Sequence, residues 1–475
     1  MNAVRVAGPN TVGEAGKVYF AHRFQTGQSL FATADQPPYY PSFHGPLFHS
    51  VVGAIGRVCG ATVLDLYGIG RTISVLATCG SFLLAGLILR QLGTGWKWLT
   101  VLIVVAMGME ATFQHTISFR PDNWILFLTA LTCFLMMTCR EQTWAIVAVT
   151  LISVVAFFIK PTGISIAGCV VGVLLMERRW KAAILSAAGS VVITSILTVG
   201  LNAVSEGAYF QAMNQARGVP FRMSSLLGCL NFPVTWASLA VPFVLVSPVL
   251  RSPLSIMRSR QLILIVFWAV SLAFACVTAT RMGSGPYYMN SAVLFGLILI
   301  CHWLSIESKQ RRWHSGIVGL VVLAGLPSIP PAVIAIDHAV FKAMPLHDIS
   351  VHVTKHFEDE RSIVSAMGNV LSQPVFSDDP GLNVLLNRPA VLEPILVAMM
   401  IANGSFDESI LLEAVRQQRY GMIVLTGSEG YWQFEGVAAV SDAFMQEVIR
   451  HYRQIRSDLK YTVMIPADEQ SPPDP

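Results

Sequence analysis

Apolar stretches, most of them long enough to cross a bilayer, dominate the hydrophobic pattern, and short polar connections separate them. We predict about 10 such spans, at residues 67–89, 98–117, 121–139, 143–159, 162–176, 182–204, 229–250, 261–279, 287–304 and 315–336. Tryptophans lie near many of their ends, as expected at a membrane–water interface. The pattern therefore predicts a mainly α protein, a polytopic helical membrane bundle that occupies residues 61–336.

The connections between these stretches alternate in charge. Basic residues concentrate in every second connection: Arg90 and Lys97; Arg140; Arg178, Arg179 and Lys181; Arg251, Arg258 and Arg260; Lys309, Arg311 and Arg312. Because lysine and arginine favour the cytoplasmic side of a membrane protein, these connections are predicted to face the cytoplasm. The opposite, outer face then receives the chemically interesting residues, which are Glu14, Asp122, Lys160 and Arg281, and the tail after Asp337.

Residues 1–60 are predicted to form an outer-face loop with two interfacial helices. Residues 13–27 collect apolar side chains, Val18 and Phe20 among them, on one side of a short amphipathic helix that would lie on the membrane surface. The apolar piece 45–59 is short and interrupted by glycines, which favours an interfacial helix over a span.

The amino-terminal segment lacks an apolar core of the length that a cleavable signal peptide needs. The charge pattern nevertheless places this segment outside, with nothing before it to carry it there. We therefore expect that the recorded start omits an upstream first transmembrane helix. A chain truncated in this way would be inactive if the loop that bears Glu14 were misplaced as a result.

The tail, residues 337–475, changes in composition and is predicted to be a small extracytoplasmic α/β domain with a disordered end. Strands are predicted at 373–377, 422–426 and 461–465, and helices at 407–419 and 441–456. Its paired acids, Asp378 and Asp379, are typical of solvated turns, so no chemistry is predicted for them.

Composition narrows the class of protein further. The 475 residues are 53% hydrophobic and 13% charged, about half of the charged fraction of a soluble domain. The net charge of +4 follows from the predicted cytoplasmic connections, and no basic patch indicates nucleic-acid binding. The eight cysteines form no CxxC pair, so neither a zinc site nor a disulfide framework is predicted. No metal-ligand cluster stands out; a cofactor is unknown, with a divalent cation as the candidate.

Two carboxylates are candidates for chemistry at the outer face. By spacing alone, Glu14 is more typical of a solvated acid at a helix start, where the helix dipole favours it. Asp122 follows Arg120 and Pro121 at the start of a span, and a carboxylate there needs no catalytic role. Ionisable groups at such a junction are nevertheless costly and often functional, which keeps both interpretations open.

Lys160 and Arg281 are single cations at the outer ends of spans, against the general charge bias. Each would either extend to the lipid head groups or hold a phosphate near the membrane surface. Tyr287 and Tyr288 follow Arg281 closely and would be interfacial belt residues or line a sugar pocket. These alternatives stay open from the residues alone.

Histidines and one arginine complete the candidate residues. His44 and His49 flank the short sequence GPLF, and each is more typical of a hydrogen-bonded interfacial residue than of a metal ligand. Arg71, at the start of the first long span, is predicted to be an anchor or the ion-pair partner of a carboxylate rather than a catalyst.

The order of several segments carries a resemblance to a known family. These segments are GEAGKVYFAHRFQTGQSLF, YYPSFHGPLFHSVVGAIGRVCG, SFRPDNWILFLTALTCFL, FFIKPTG, GSGPYYM and, in the tail, LLEAVRQQRYGMIVL. In this order they resemble the polytopic membrane glycosyltransferases of the GT-C fold, in the bacterial, polyprenyl-phosphate-sugar-dependent branch of the ArnT/PMT-like superfamily. The resemblance covers nearly the whole chain, although each motif is short and degenerate.

The resemblance implies a function at the outer leaflet of a bacterial inner (plasma) membrane. A sugar would move from a polyprenyl-phosphate donor to a glycan, lipid or protein acceptor, with inversion at the anomeric carbon. Glu14 would match the first-loop acid of the family, which serves as general base or orients the acceptor, and Asp122 would match the second acid. Replacement of Glu14 by Gln is then expected to abolish transfer and leave membrane insertion intact.

The remaining site residues are weaker matches to the family. Lys160 and Arg281 are expected at the donor phosphate, and Arg120, His44, Tyr287 and Tyr288 are expected in the substrate pocket. Two departures from the family pattern are noted. The usual Asp-Glu pair of the first loop reads Gly13-Glu14 here, and the first transmembrane helix of the family is expected to be missing from this sequence. Three other functions remain as alternatives: a lipid-linked glycan polymerase or ligase, a secondary transporter, and a non-catalytic membrane scaffold.

Overall fold

The computed structural model describes most of the bundle and part of the tail. The described residues are 14–31, 44–107, 118–217, 221–230, 260–281, 284–310, 374–378, 382–383, 394–402, 404, 406–426, 433–434, 437–438, 440–457 and 461–467. Within them the chain is mainly helical, and the strands are confined to the tail.

The helices of the amino-terminal part and the bundle follow the predicted order. They are α1 Glu14–Gln25, α2 Pro46–Cys59, α3 Val63–Gln91, α4 Trp96–Met107, α5 Asp122–Cys139, α6 Thr143–Ile159, α7 Ser165–Met176, α8 Trp180–Val204, α9 Ala208–Arg217, α10 Met223–Leu230, α11 Arg260–Ala279 and α12 Asn290–Gln310. Short 3₁₀ turns at Pro161–Ile164 and Pro286–Met289 precede α7 and α12.

Five helical stretches are long and apolar enough to cross a membrane, namely α3, α5, α8, α11 and residues 287–306. The predicted spans 121–139, 143–159, 182–204 and 261–279 agree with the helix bounds to within a few residues. Helices α6 and α7 are apolar but shorter. The predicted span 315–336 and most of 229–250 lie outside the described residues. The polytopic fold class predicted from the sequence is confirmed.

Two apolar clusters organise the bundle. The larger one is built by α3, α5, α7, α11 and α12 and has Phe267 and Phe295 at its centre. The smaller one lies at the other end of α3 and α5, where α1 and α2 pack around Phe48 and Phe119. Gly70 permits this second cluster, because a Cβ there would lie 2.6 Å from the ring of Phe119. The smaller cluster surrounds the candidate functional residues.

Helix α1 is more deeply buried than an amphipathic surface helix would be, and its place at the membrane surface stays a prediction. All eight residues from Glu14 to Ala21 are buried, polar ones included. Helix α1 packs against α2 and α3, so its polar side chains find partners inside the protein instead of water. Helix α1 ends at Gln25, shortly before Gly27, whose φ of 81° does not continue a helix.

The described part of the tail contains a small α/β unit. Its strands are β1 Val375–Ser377, β2 Met422–Thr426, β3 Gln433–Phe434, β4 Val437–Ala438, β5 Tyr452–Ser457 and β6 Tyr461–Pro466; its helices are α13 Pro394–Ala402, α14 Ser409–Arg416 and α15 Asp442–His451. One sheet has the order β1-β2-β6-β5, with β1 parallel to β2 and the other pairs antiparallel; β3 and β4 form a separate hairpin.

One boundary in the tail was predicted incorrectly. The helix predicted over 441–456 begins as expected, because the Ser441 side chain accepts a hydrogen bond from the Phe444 N–H at 3.1 Å. It ends at His451, however, and residues 452–457 form β5. Pairing with β6 and burial of Tyr452 override the helical pattern there.

Candidate functional site

Glu14 and Arg71 form a fully buried ion pair between α1 and α3. Arg71 Nε donates to Glu14 Oε1 and Nη2 donates to Oε2, both at 2.8 Å. Both side chains are 0% exposed. The Phe119 N–H adds a third hydrogen bond to Oε1 at 2.7 Å. The expectation of a solvated helix-start carboxylate is therefore wrong, and the prediction that Arg71 pairs with a carboxylate is confirmed.

Asp122 and Lys160 form a second ion pair close to the first. Asp122 is the first residue of α5, three positions after Phe119. Lys160 follows α6 in an extended conformation, with φ of −156°, because Pro161 comes next. Its Nζ lies 2.6 Å from Asp122 Oδ1, and the two side chains are 5% and 11% exposed. No described residue hydrogen-bonds the second oxygen of Asp122.

Two tyrosines cover the second pair. Lys160 Nζ lies 4.2 Å from the centre of the Tyr288 ring and 5.1 Å from that of Tyr287. The guanidinium of Arg120 lies 4.7 Å from the centre of the same Tyr287 ring. Cations over aromatic faces are attracted by the ring quadrupole, which is stronger away from water. Arg120 Nε is buried with no hydrogen-bond partner among the described residues.

His44 and His49 border this group on the side of α2. Their rings lie 5.9 Å apart, and His49 also contacts Phe20 and Phe119. Burial and the nearby charge of Lys17 lower the pKa of His49 to about 3. Burial, with Lys17 and Lys160, lowers the pKa of His44 well below its usual range. Both imidazoles are therefore neutral.

The backbone fixes the position of these histidines. A Cβ on Gly45 would lie 2.0 Å from the carbonyl oxygen of Phe158, so only glycine fits between the start of α2 and the end of α6. Gly163 likewise lies against the backbone of Ala156, with a Cβ distance of 2.5 Å. These contacts hold His44 and Lys160 close to each other.

The described residues of this cluster include several cations. Lys17, one turn after Glu14, is buried and close enough to act electrostatically on Asp122 and both histidines. Four cations, Lys17, Arg71, Arg120 and Lys160, therefore surround two carboxylates, Glu14 and Asp122. Lysine and arginine side chains are the groups with which proteins bind phosphates, so the described part of this cluster suits an anionic ligand.

The structure brings together most of the predicted site residues. Glu14, Asp122, Lys160, Arg120, His44, Tyr287 and Tyr288 lie in or next to one cluster. Arg281 packs instead on the ring of Phe221, 3.8 Å from its centre, and no described contact joins it to Lys160. Its place at the donor phosphate remains a prediction.

Sequence reasoning missed the contributions of Lys17 and His49. Lys17 follows Glu14 at a spacing of three, which places both on one face of α1 and would have linked them. His49 was noted only beside His44, with no signal for its burial. The residues around Lys17 and around His49 carry no sign that a neighbouring helix covers these two side chains.

Two cavities lie elsewhere in the described structure. One, of about 560 Å³, opens beside the last turn of α1 and the start of α3, with His22, Arg57 and Thr62 in its wall. The other, of about 430 Å³, is a groove between α6 and α8. Neither includes Glu14 or Asp122. Among the described residues, no group of three or more histidine, cysteine, aspartate or glutamate side chains is arranged to hold a metal ion.

No protein-family model and no curated protein matches the chain. Solved structures do share its fold. ArnT from Cupriavidus metallidurans bound to undecaprenyl phosphate has a TM-score of 0.60 and 12% identity, and the match covers 100% of this chain and 97% of that one. The apo state of ArnT gives 0.57 and 12%, over 97% and 95%. The chain therefore has an ArnT-like GT-C fold, as its sequence predicted.

Proposed function

We propose that this protein is an inverting glycosyltransferase that moves a sugar from a polyprenyl-phosphate donor to an acceptor outside the cytoplasm. The observation that carries the proposal is the buried cluster of four cations and two carboxylates at one end of the bundle. Its lysine and arginine side chains suit a phosphate diester whose sugar is transferred and whose lipid phosphate departs.

The fold supports the same chemistry. The similar solved structure of ArnT contains undecaprenyl phosphate, so this architecture accommodates a polyprenyl phosphate in at least one protein. The apolar helices of the present chain supply the membrane environment that such a lipid needs. We place the protein in a bacterial inner membrane with its tail on the extracytoplasmic side, because the basic connections lie at the other ends of the spans.

Each side chain of the second ion pair has a role in this reaction. As the anomeric carbon–oxygen bond breaks, negative charge grows on the phosphate, and Lys160 and Arg120 would stabilise it. The acceptor hydroxyl loses its proton as it attacks the sugar from the opposite face. Asp122, whose second oxygen has no described hydrogen-bond partner, would accept that proton. One carboxylate acting as base in a single displacement gives inversion.

Glu14 has a positioning role in this scheme rather than the role of base. Its two oxygens already accept three hydrogen bonds from Arg71 and Phe119, and its side chain has no exposed surface. Its contact with Phe119 fixes the segment that leads to Asp122. The sequence-based expectation that Glu14 is the base would require the Arg71 pair to open when the acceptor binds.

Membranes that contain the full chain test the proposal directly. They are incubated with a panel of polyprenyl-phosphate sugars, and release of the polyprenyl phosphate is followed by thin-layer chromatography and mass spectrometry. We expect release that depends on the chain and falls sharply when Lys160 is replaced by Met. Transport of an intact sugar without release would favour a secondary transporter, and products that grow by repeated units would favour a polymerase.

A further inference from the structure

The groove between α6 and α8 is a second feature that the proposed reaction does not use. Its volume is about 430 Å³, and its walls are formed by apolar side chains such as Ile146, Leu151, Leu185 and Ile193. From Arg179 at one end to Ile193, helix α8 advances about 21 Å. That length exceeds the roughly 15 Å depth of one leaflet of the hydrocarbon core.

Hydroxyl groups of α6 and α8 pair with each other beside the groove, and Thr150 and Ser186 belong to its lining. Thr150 Oγ1 lies 2.8 Å from Ser186 Oγ, and Ser153 Oγ lies 3.0 Å from Ser190 Oγ. These hydrogen bonds join α6 to α8, as small polar residues do between membrane helices. Because the hydroxyl groups satisfy each other, the groove offers an occupant mainly apolar contacts.

The outer wall of the groove faces away from the other described helices. Only 17% of the apolar window of α8 is buried, and Leu185 is 72% exposed. In a membrane-spanning helix, side chains of this kind are covered by lipid chains. The groove therefore lies where a bilayer lipid reaches it from the side.

One end of the groove is positively charged. Arg179 lines that end, and Arg178 and Lys181 beside it are exposed. Glu177 lies 2.8 Å from Arg140 and 3.9 Å from Arg179, and Arg179 Nη1 donates to the Arg140 carbonyl oxygen at 2.6 Å. Helix α8 begins at Trp180 with no side-chain cap and no acid in its first turn. Its dipole thus adds to the positive charge at this end.

Tryptophans place that end at the membrane interface. Trp144 and Trp180 flank it and are 54% and 59% exposed. Exposed tryptophans are characteristic of the head-group level of a bilayer. The basic residues beside them belong to the connections predicted to face the cytoplasm, where the leaflet carries anionic lipids.

We propose that the α6–α8 groove binds an anionic phospholipid of the inner leaflet. One acyl chain lies against Ile146, Leu151 and Leu185, and the phosphate contacts Arg179 at the start of α8. This site lies at the opposite end of the spans from Asp122, so it is distinct from the proposed transfer site. Its occupant would stabilise the contact between α6 and α8.

The full chain in vesicles tests the lipid site. The vesicles contain photoactivatable phosphatidylglycerol or, in a parallel sample, phosphatidylcholine with the same diazirine in one acyl chain. Peptides labelled after illumination are mapped by mass spectrometry. We expect phosphatidylglycerol to label residues 143–151 and 182–193 about fivefold more than phosphatidylcholine, since one cation near an anionic lipid has roughly that effect.

Two variants and a control distinguish the contribution of the lipid head group to binding from that of the acyl chain. Arg179→Gln is expected to remove the preference for phosphatidylglycerol, whereas Lys97→Gln, a cation on the same predicted side but on α4, is expected to keep it. Gly189→Leu would fill the groove and lower labelling by both probes, because a Cβ at Gly189 contacts only Thr150, at 3.5 Å.

Three results would overturn this assignment. Equal labelling by the two probes would show that the groove does not select the head group. A preference that survives in Arg179→Gln would place the anion elsewhere. Cross-links from these helices to a second copy of the chain would show that the groove is a protein interface.

Discussion

The two buried ion pairs at the predicted outer end of the bundle look alike in sequence but differ in structure. Glu14 accepts two hydrogen bonds from Arg71 and one from Phe119, and no surface of either ionic side chain is exposed. Asp122 is held through one oxygen by Lys160, beside two tyrosine rings, and 11% of its side chain is exposed.

The difference separates two tasks that a buried carboxylate performs. A carboxylate held by three hydrogen bonds on both oxygens, with no exposed surface, orients the backbone around it and is poorly placed for proton transfer. A carboxylate with an unfilled position next to a cation and neutral imidazoles is available to a substrate. We therefore assign the structural task to Glu14 and the chemical task to Asp122.

The largest expected effect is on catalysis, from Asp122→Asn. The amide keeps the shape and still accepts a hydrogen bond from Lys160, but it cannot take a proton. Loss of a general base is expected to lower the rate of transfer by about 10²–10⁴-fold. The measurement is release of polyprenyl phosphate per folded protein.

Asp65→Asn is the matched control, because Asp65 is also an acid in the first turn of a long membrane helix, and its hydrogen bonds within the described residues go to Thr62. It is expected to retain transfer within a few-fold of the parent chain. A similar collapse of activity in both variants would show that the effect at Asp122 is not specific.

The next effect is on stability, from Arg71→Leu. This change leaves the Glu14 carboxylate buried without its partner, which is expected to cost about 3–5 kcal/mol. Thermal unfolding of the purified chain in detergent measures the loss. The double variant Glu14→Gln, Arg71→Leu removes both charges and is expected to recover most of that stability. If the single variant were as stable as the parent, the pair would not have the structural task assigned here.

A smaller effect is expected from Gly45→Ala. The added Cβ would meet the carbonyl oxygen of Phe158 and push α2, with His44 and His49, away from α6. Overpacking of this kind typically costs about 1–3 kcal/mol. Gly95→Ala is the control, since nothing lies within 4 Å of a Cβ there. Equal stability of the two variants would mean that the approach of α2 to α6 is not required.

The smallest effect concerns pH. Because the pKa of His49 is lowered to about 3, the unfolded chain binds a proton near pH 6.5 that the folded chain does not. The stabilising effect of the neutral ring is complete above that pH and is lost as the pH falls below it, by about 1.4 kcal/mol per pH unit. Thermal unfolding between pH 7 and pH 5 measures the slope. The lowered pKa of His44 adds a slope of the same sign, so His49→Asn should reduce the slope without removing it. An unchanged slope would show that His49 titrates normally.

The sequence predicted the helices of the bundle better than the site between them. Charge alternation and apolar length located spans such as 143–159 and 182–204, because burial in lipid leaves few alternatives to a helix. The segment around Glu14 was predicted to lie on the surface, since its polar residues match no buried pattern. Its burial depends on Arg71, 57 residues away, and no local pattern encodes such a pair.

In the tail, prediction from local sequence fails in the same way at the end of one helix. Strands at 422–426 and near 461–465 followed from short β-branched runs, and both are present. The helix predicted to reach residue 456 stops at His451, because pairing of β5 with β6 depends on a partner later in the chain. Local propensity identified the elements, and tertiary pairing set where one ended and the next began.

The most direct measurement compares two folded variants in the release of polyprenyl phosphate. One is Asp122→Asn, and the other is the double variant Glu14→Gln, Arg71→Leu, which removes the first ion pair without leaving a lone charge. Our account predicts that the double variant retains transfer within about tenfold of the parent chain while Asp122→Asn loses at least about 10²-fold. A folded double variant as inactive as Asp122→Asn, or an active Asp122→Asn, would contradict it.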